Sequence, residues 1–205
     1  MNYDLYTYAI LIAVVSFMGF VLENAWMAAR NKCIDNRNMT LPFLLGYGIF
    51  IAILYEMAGT PDTLTLPSWL NAPKIRNARR FIYFLLAFVL VSIGEILLGT
   101  LVEHFCGFDY WNYETLPLHI TKFTSVPTSC AFAAAITFFM DNCIEPLLSA
   151  IRCIPLEQLK PAAVLIMCLM IIDFAKSFYT MHKTRRLNIR WRIELSRRGN
   201  RLSIR

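Results

Sequence analysis

The chain is 205 residues long, 57% hydrophobic and 17% charged, with a mean hydropathy of +0.49 and a formal net charge of +6. That composition excludes an ordinary soluble domain, whose surface needs more charge, and the length leaves no room for a large extramembrane domain. The positive charge is no sign of nucleic acid: nine of the twenty Lys and Arg fall in residues 183–205, directly after an apolar run, where charge reports membrane topology.

A helical crossing of the bilayer core takes about 20 apolar residues. The expected fold is therefore an all-α polytopic membrane helix bundle of about five spans, with residues 1–182 forming the bundle and 183–205 a basic juxtamembrane tail. The first span runs from about Leu5 to Ala29 and stops at Arg30; no basic residues precede it, so it is expected to stay as an anchor and not to be cleaved as a signal peptide. Residues 31–40 are polar, with Lys32, Asp35 and Arg37, and Asn38-Met39-Thr40 fits a glycosylation sequon too close to the membrane to be used. The second apolar run, Leu41 to Met57, carries Pro42, Gly46 and Gly48 and is short for a span, or partly re-entrant.

A proline-containing loop from Gly59 to Asn77 follows, with Trp69 expected at the membrane interface, and closes on Arg76, Arg79 and Arg80. The third span is expected from Phe81 to Val102. Residues 103–125 are polar and rich in aromatics, as suits a loop or interfacial helix at headgroup level between spans three and four. Val126 to Ile144 makes a fourth span and Pro161 to Tyr179 a fifth, and no internal repeat is evident. Counting Lys and Arg over the connections of this arrangement gives thirteen against six, which puts the tail on the cytoplasmic side of the cell membrane and the N-terminus outside. Arg76, Arg79 and Arg80 are the dissenting charges.

Ionisable groups inside spans cost about 2.5–3.5 kcal/mol at a helix centre, so each needs a reason. Glu23 shares a helix face with Gly19, one turn earlier; it is either polar glue between helices or a site. Glu95, Gly99 and Glu103 recur at i,i+4, which sets two carboxylates on one face around a glycine that admits another backbone. That pattern suits proton relay, cation coordination or acid–base work, unless Glu103 is only interfacial. Asp173 and Lys176 are spaced to form an ion pair, and Asp141 with Glu145 to form the solvated rim of the fourth span. His104 and His119 have no metal-ligand spacing, the six cysteines form no CxxC pair, and neither a metal nor a cofactor is expected. No GxxxxGK[ST] is present, so ATP-driven work would need another subunit, and no catalytic motif marks an enzyme. In the tail, Leu187, Ile189, Trp191, Ile193 and Leu195 alternate with polar residues, a strand pattern. It suits pairing with a partner chain or, more commonly for a basic tail, contact with anionic lipid.

Two stretches are similar to a known family. Ser16 to Ala28, SFMGFVLENAWMA, followed by Asp35-Asn36-Arg37, resembles the opening of the ABC-transporter type IV (CmpB) permease family, and GEILLGTLVEHFCGFDYWNYETLPLHI resembles that family's third span and loop. The resemblance implies that Glu23, Asn36, Arg37, Glu95, Glu103, Trp111, Tyr113 and Pro117 occupy motif positions, with His119 where the family has asparagine. Phe20 stands in place of tryptophan, Asn38 of glycine and Asn112 of aspartate. The resemblance implies a permease-like subunit with a groove lined by Glu23, Asn36, Arg37, Glu95, Glu103, Trp111, Tyr113 and His119, embedded in the lipid bilayer, oligomeric, and partnered by a separate ATPase subunit. The alternatives are a membrane-embedded enzyme acting on lipid or a lipid-linked substrate, with Glu95 or Glu103 as base beside His104 or His119, and a membrane scaffold.

Overall fold

In the computed structural model, which describes residues 5–64 and 76–195, six helices account for most of the chain: α1 (Leu5–Asn31), α2 (Leu45–Ala58), α3 (Arg76–Cys106), α4 (Val126–Asn142), α5 (Ile144–Arg152) and α6 (Leu156–Thr184). Four short strands join them: β1 (Cys33–Asp35), β2 (His119–Thr121), β3 (Thr124–Ser125) and β4 (Arg192–Glu194). Trp69 lies outside the described residues, as do Pro67, Pro73 and the end of the tail. Three helices, α1, α3 and α6, are long and apolar enough to cross a membrane. A fourth crossing follows if α4 and α5, bent by 49° at their junction, count as one span. Their faces carry exposed Phe17, Val21, Val89, Leu97, Leu165 and Ile172, side chains that water would not accept in such number but hydrocarbon does.

The chain packs as two units, Met1–Ala52 with Ala150–Arg205, and Ile53–Ser149. In the first, α1 and α6 run side by side in the same direction. Lys160, early in α6, lies 5.8 Å from the ring of Tyr6, early in α1, and β1 and β4, just past the two helix ends, pair antiparallel with Ile34 opposite Ile193. The alternation in the tail is thus a strand, and its partner is the chain's own segment after α1. Two buried asparagines hold the pairing: the Asn36 side chain donates to the Asn188 carbonyl and accepts from Arg190 N–H, and Asn38 accepts from Asn188 N–H. Burial of Asn38 also closes the sequon.

The second apolar run does not form one helix. Residues 36–44 stay non-helical, and Leu44 N–H reaches the Ser16 carbonyl, about 22 Å back along α1 from its C-terminus at 1.5 Å per residue. Only there does α2 begin, with Gly48 against the Ile12 carbonyl, where a methyl group would collide. Non-helical backbone at that depth survives only if protein satisfies it. Asp173 does so: its carboxylate accepts from Thr40 N–H at 3.0 Å and Leu41 N–H at 2.8 Å. The expected Asp173–Lys176 ion pair is absent among the described residues; the carboxylate is buried on the backbone of this stretch and Lys176 is exposed.

In the second unit α3 and α4 pack antiparallel. Asp141, near the C-terminus of α4, is no solvated rim residue: its side chain is only 4% exposed and it pairs with Arg80 and, at 3.6 Å, with Arg76. Each of these charges stands at the unfavourable end of its own helix dipole, and pairing across the helices offsets both. Arg79 donates to the Asp62 carbonyl. The arginines that dissent in the topology count therefore have a structural reason to be there. Glu145, also read as rim, accepts from Tyr55 Oη at 2.7 Å.

Candidate functional site: carboxylates at glycine-seated aromatic rings

In the first unit Glu23 lies one turn after Gly19 on α1. A Cβ at Gly19 would stand 2.5 Å from the ring of Tyr47, so glycine is what lets the first turn of α2 lie on α1. The Tyr47 hydroxyl donates to Glu23, and Arg37 Nη2 reaches the other carboxylate oxygen at 3.1 Å, with both charged side chains less than one-fifth exposed. Arg37 is aimed by a tight turn: it and Asn38 have φ of 45° and 67°, and Arg37 N–H donates to the Asp35 carboxylate. Asparagine is among the few residues that tolerate this left-handed region, which suits Asn38 to its place in the turn. Asn36 does not join the carboxylate; its hydrogen bonds hold the tail.

In the second unit the α3 face Glu95, Gly99, Glu103 is met in order by three consecutive residues of the following hairpin, Thr124, Phe123 and Lys122. Thr124 Oγ1 donates to Glu95 Oε2 at 2.6 Å, and Ser129 Oγ lies 3.2 Å from the same oxygen. The Phe123 ring fills the place of a Gly99 side chain, where a Cβ would be 2.3 Å away. Lys122 Nζ bridges Glu103 at 2.6 Å and Asp109 at 3.0 Å. Its hydrogen bonds to Glu103 and then Asp109 raise its pKa above the ordinary lysine value. The two carboxylates therefore share a face but not an environment: Glu103 is paired at the half-exposed rim, and Glu95 contacts two fully buried hydroxyls on the other side of the Phe123 ring.

The aromatic segment is a loop that holds this hairpin. Trp111 Nε1 donates to the Phe123 carbonyl at 2.7 Å, and Tyr113 N–H to the Lys122 carbonyl. His119 is exposed on β2, with Nδ1 3.2 Å from the Leu116 carbonyl, and His104 is exposed against Phe105. Neither histidine meets Glu95 or Glu103 in the hydrogen bonds of the described residues: His119 lies against the Leu116 carbonyl and His104 against the Phe105 ring. Glu103 continues α3 past the expected end at Val102, because the helix runs to Cys106.

Both units use one device, Gly-x-x-x-Glu, with an aromatic ring seated on the glycine and a cation on the glutamate: Gly19, Glu23, Tyr47 and Arg37 in one, Gly99, Glu103, Phe123 and Lys122 in the other. The reading that finds no repeat misses this short one; MGFVLEN against LGTLVEH, starting at Met18 and Leu98, is its signal. Tyr47, Lys122, Phe123, Thr124 and Ser129 also escape a search for ionisable groups within spans. The hydroxyl run Thr124, Ser125, Thr128, Ser129 at the head of an apolar span is the feature that marks the last two.

No curated protein and no solved structure matches the chain. The family described as "Putative ABC-transporter type IV" matches residues 10–178, a range that contains both carboxylate sites and most of the helical chain. By that match the chain belongs to the ABC-transporter type IV family.

Proposed function

We propose that this chain is the membrane-embedded, permease-like subunit of an ABC-type transporter of the cell membrane, worked by a separate ATPase subunit. The observation that carries the reading is the family match over residues 10–178, joined to carboxylates that the apolar helices keep at a cost, Glu23 in one unit and Glu95 with Glu103 in the other. These carboxylates, with Arg37, give each unit a polar surface on which a solute can be handled inside hydrocarbon. Trp111 and Tyr113 keep the hairpin against one of those surfaces.

Five crossings remain the favoured topology, and parity supports them. Parallel α1 and α6 require an odd number of crossings between them. The helix α3 and the bent α4–α5 pair supply two, and the third falls to residues 36–58, non-helical first and helical after. β1–β4 pairing joins the basic tail to the segment after α1, so the two positive stretches share a side, which supports a cytoplasmic tail. A bundle this thin favours oligomers. The test is affinity purification of the full chain from its native membrane in mild detergent. An ATPase subunit should co-purify and its ATP hydrolysis should change with the chain present; a chain purified without any nucleotide-hydrolysing partner refutes the reading.

A further inference from the structure

Where α1 and α6 stop, side by side in the first unit, an aromatic ring and a cation recur at one spacing on both helices. Trp26 and Arg30 stand at i,i+4 on α1, and Tyr179 and Lys183 at i,i+4 on α6. All four are exposed, and each ring lies five residues before the end of its helix, about 8 Å at 1.5 Å per residue. Because the two helices run in the same direction, the rings mark one level. Exposed Trp and Tyr at span ends sit where hydrocarbon gives way to headgroups. One helical turn on, about 6 Å, Arg30 and Lys183 then stand within a headgroup layer roughly 5–8 Å thick.

The small sheet keeps further cations beside them. Lys32 alone separates α1 from β1, and β1 holds β4, so Lys32, Arg190 and Arg192 stay near the two helix ends. All three are exposed. Among the described residues none of these five cations is ion-paired, whereas Arg37, Arg76, Arg80 and Lys122 each meet a carboxylate. The acids of the sheet do not answer them: Glu194 is a single exposed carboxylate, and Asp35 is buried and accepts from Arg37 N–H. Helix dipoles account for Arg30 and Lys183, but Lys32, Arg190 and Arg192 lie past the helix ends. Ile189 and Leu195, 44% and 41% exposed beside the strand arginines, add apolar surface that water does not favour.

We infer that the ends of α1 and α6, with the β1–β4 sheet, form a binding surface for anionic phospholipid headgroups of the leaflet in which these helices end. Lipid phosphate takes paired N–H donors from arginine and a compact charge from lysine, and both are present at one level. An amphipathic segment with exposed apolar side chains between its cations suits the boundary of headgroup and acyl chain. An acidic protein surface would match the charge but not the placement. The helix cations stand one turn past interfacial rings, and the strand cations are tied to the same two helix ends. The tail is therefore a folded lipid contact, held in place by Asn36 and Asn38 and not a loose basic extension. The inference rests on α1 and α6 as membrane spans and requires no transport activity.

The test titrates the purified full chain, in mild detergent, with phosphatidylglycerol or with phosphatidylcholine and counts bound lipid by native mass spectrometry. Phosphatidylglycerol should bind saturably and about tenfold or more tightly than phosphatidylcholine. Two double variants, Arg30→Gln with Lys183→Gln and Arg190→Gln with Arg192→Gln, change exposed side chains and are confirmed as folded by gel filtration. Each should weaken phosphatidylglycerol binding by about tenfold or more and leave phosphatidylcholine binding as it was. Lys160→Gln, at the other end of α6, should keep the parent's preference. Equal binding of the two lipids by the parent, or an unchanged preference in both double variants, overturns the inference. If the lipids bind equally and the double variants instead lose a co-purifying ATPase subunit, the surface belongs to that subunit and the inference falls. A clear lipid preference in a chain that has no ATPase partner sinks the permease reading and leaves the lipid surface standing.

Discussion

Replacing Asp173 with alanine takes the acceptor away from two backbone N–H groups, Thr40 and Leu41, in the non-helical stretch that lies against α6. Hydrogen bonds to a charged acceptor contribute about 1.5–3 kcal/mol each, and a buried donor left without one costs about 1–3 kcal/mol. The two are not fully additive, so a loss of about 3–5 kcal/mol is expected. For a chain of this size that lowers Tm by on the order of 10 °C. Asp173→Asn keeps one acceptor oxygen and should lose about half as much. Lys176→Met should melt within about a degree of the parent, since surface changes away from such features stay within about 0.5 kcal/mol. Melting can be followed by gel filtration of detergent-solubilised protein after heating. If Asp173→Ala and Lys176→Met fall equally, the ion pair suggested by their spacing is real and the backbone role is wrong; if neither falls, the stretch does not depend on Asp173.

At Gly99, leucine would collide with Phe123 and should destabilise the second unit by about 1–3 kcal/mol, with partial recovery when Phe123→Ala is added; no recovery would mean the ring is not what the glycine accommodates. A double-mutant cycle of Glu23→Gln and Arg37→Met should give a coupling of about 1–3 kcal/mol by thermal melting, because the pair is largely buried, and a coupling near zero refutes it. Glu194→Cys stands opposite the native Cys33, so mild oxidation should join residues 33 and 194 in a peptide map, and failure to do so contradicts the register. Lys122 has a folded pKa above its unfolded value of about 10.4, so its latch on Glu103 and Asp109 is fully present below that pH and is lost as pH rises through the folded pKa. In a variant whose sole tryptophan is Trp111, emission should therefore stay constant through neutral pH and change only in strong alkali; a change near neutrality would refute this assignment.

What was legible in the sequence was whatever depends on local composition. Apolar runs long enough to span, the helix-spaced Glu95, Gly99 and Glu103, and the period-two alternation after residue 186 are properties of a few neighbouring residues, and hydrocarbon or a strand imposes them directly. Glu23 and Arg37 were both legible as unusual, the one by its place in a span and the other by a family motif. Their pairing was not, since it depends on left-handed turns at Arg37 and Asn38 that bring the side chain back to α1. Spacing also misled where a stronger long-range partner existed. Asp173 and Lys176 sit one turn apart, yet two unsatisfied N–H groups 132 and 133 residues away take the carboxylate, because buried backbone donors must be met and an exposed lysine can be left to solvent. Likewise Asp141 reads as a solvated helix end until α3 brings two arginines to it. The sequence by itself determined that the chain must be helical and membrane-bound, and which residues are costly there. Only the tertiary structure decided what satisfies each of them, because the partners come from segments joined by packing, and local pattern carries no record of that.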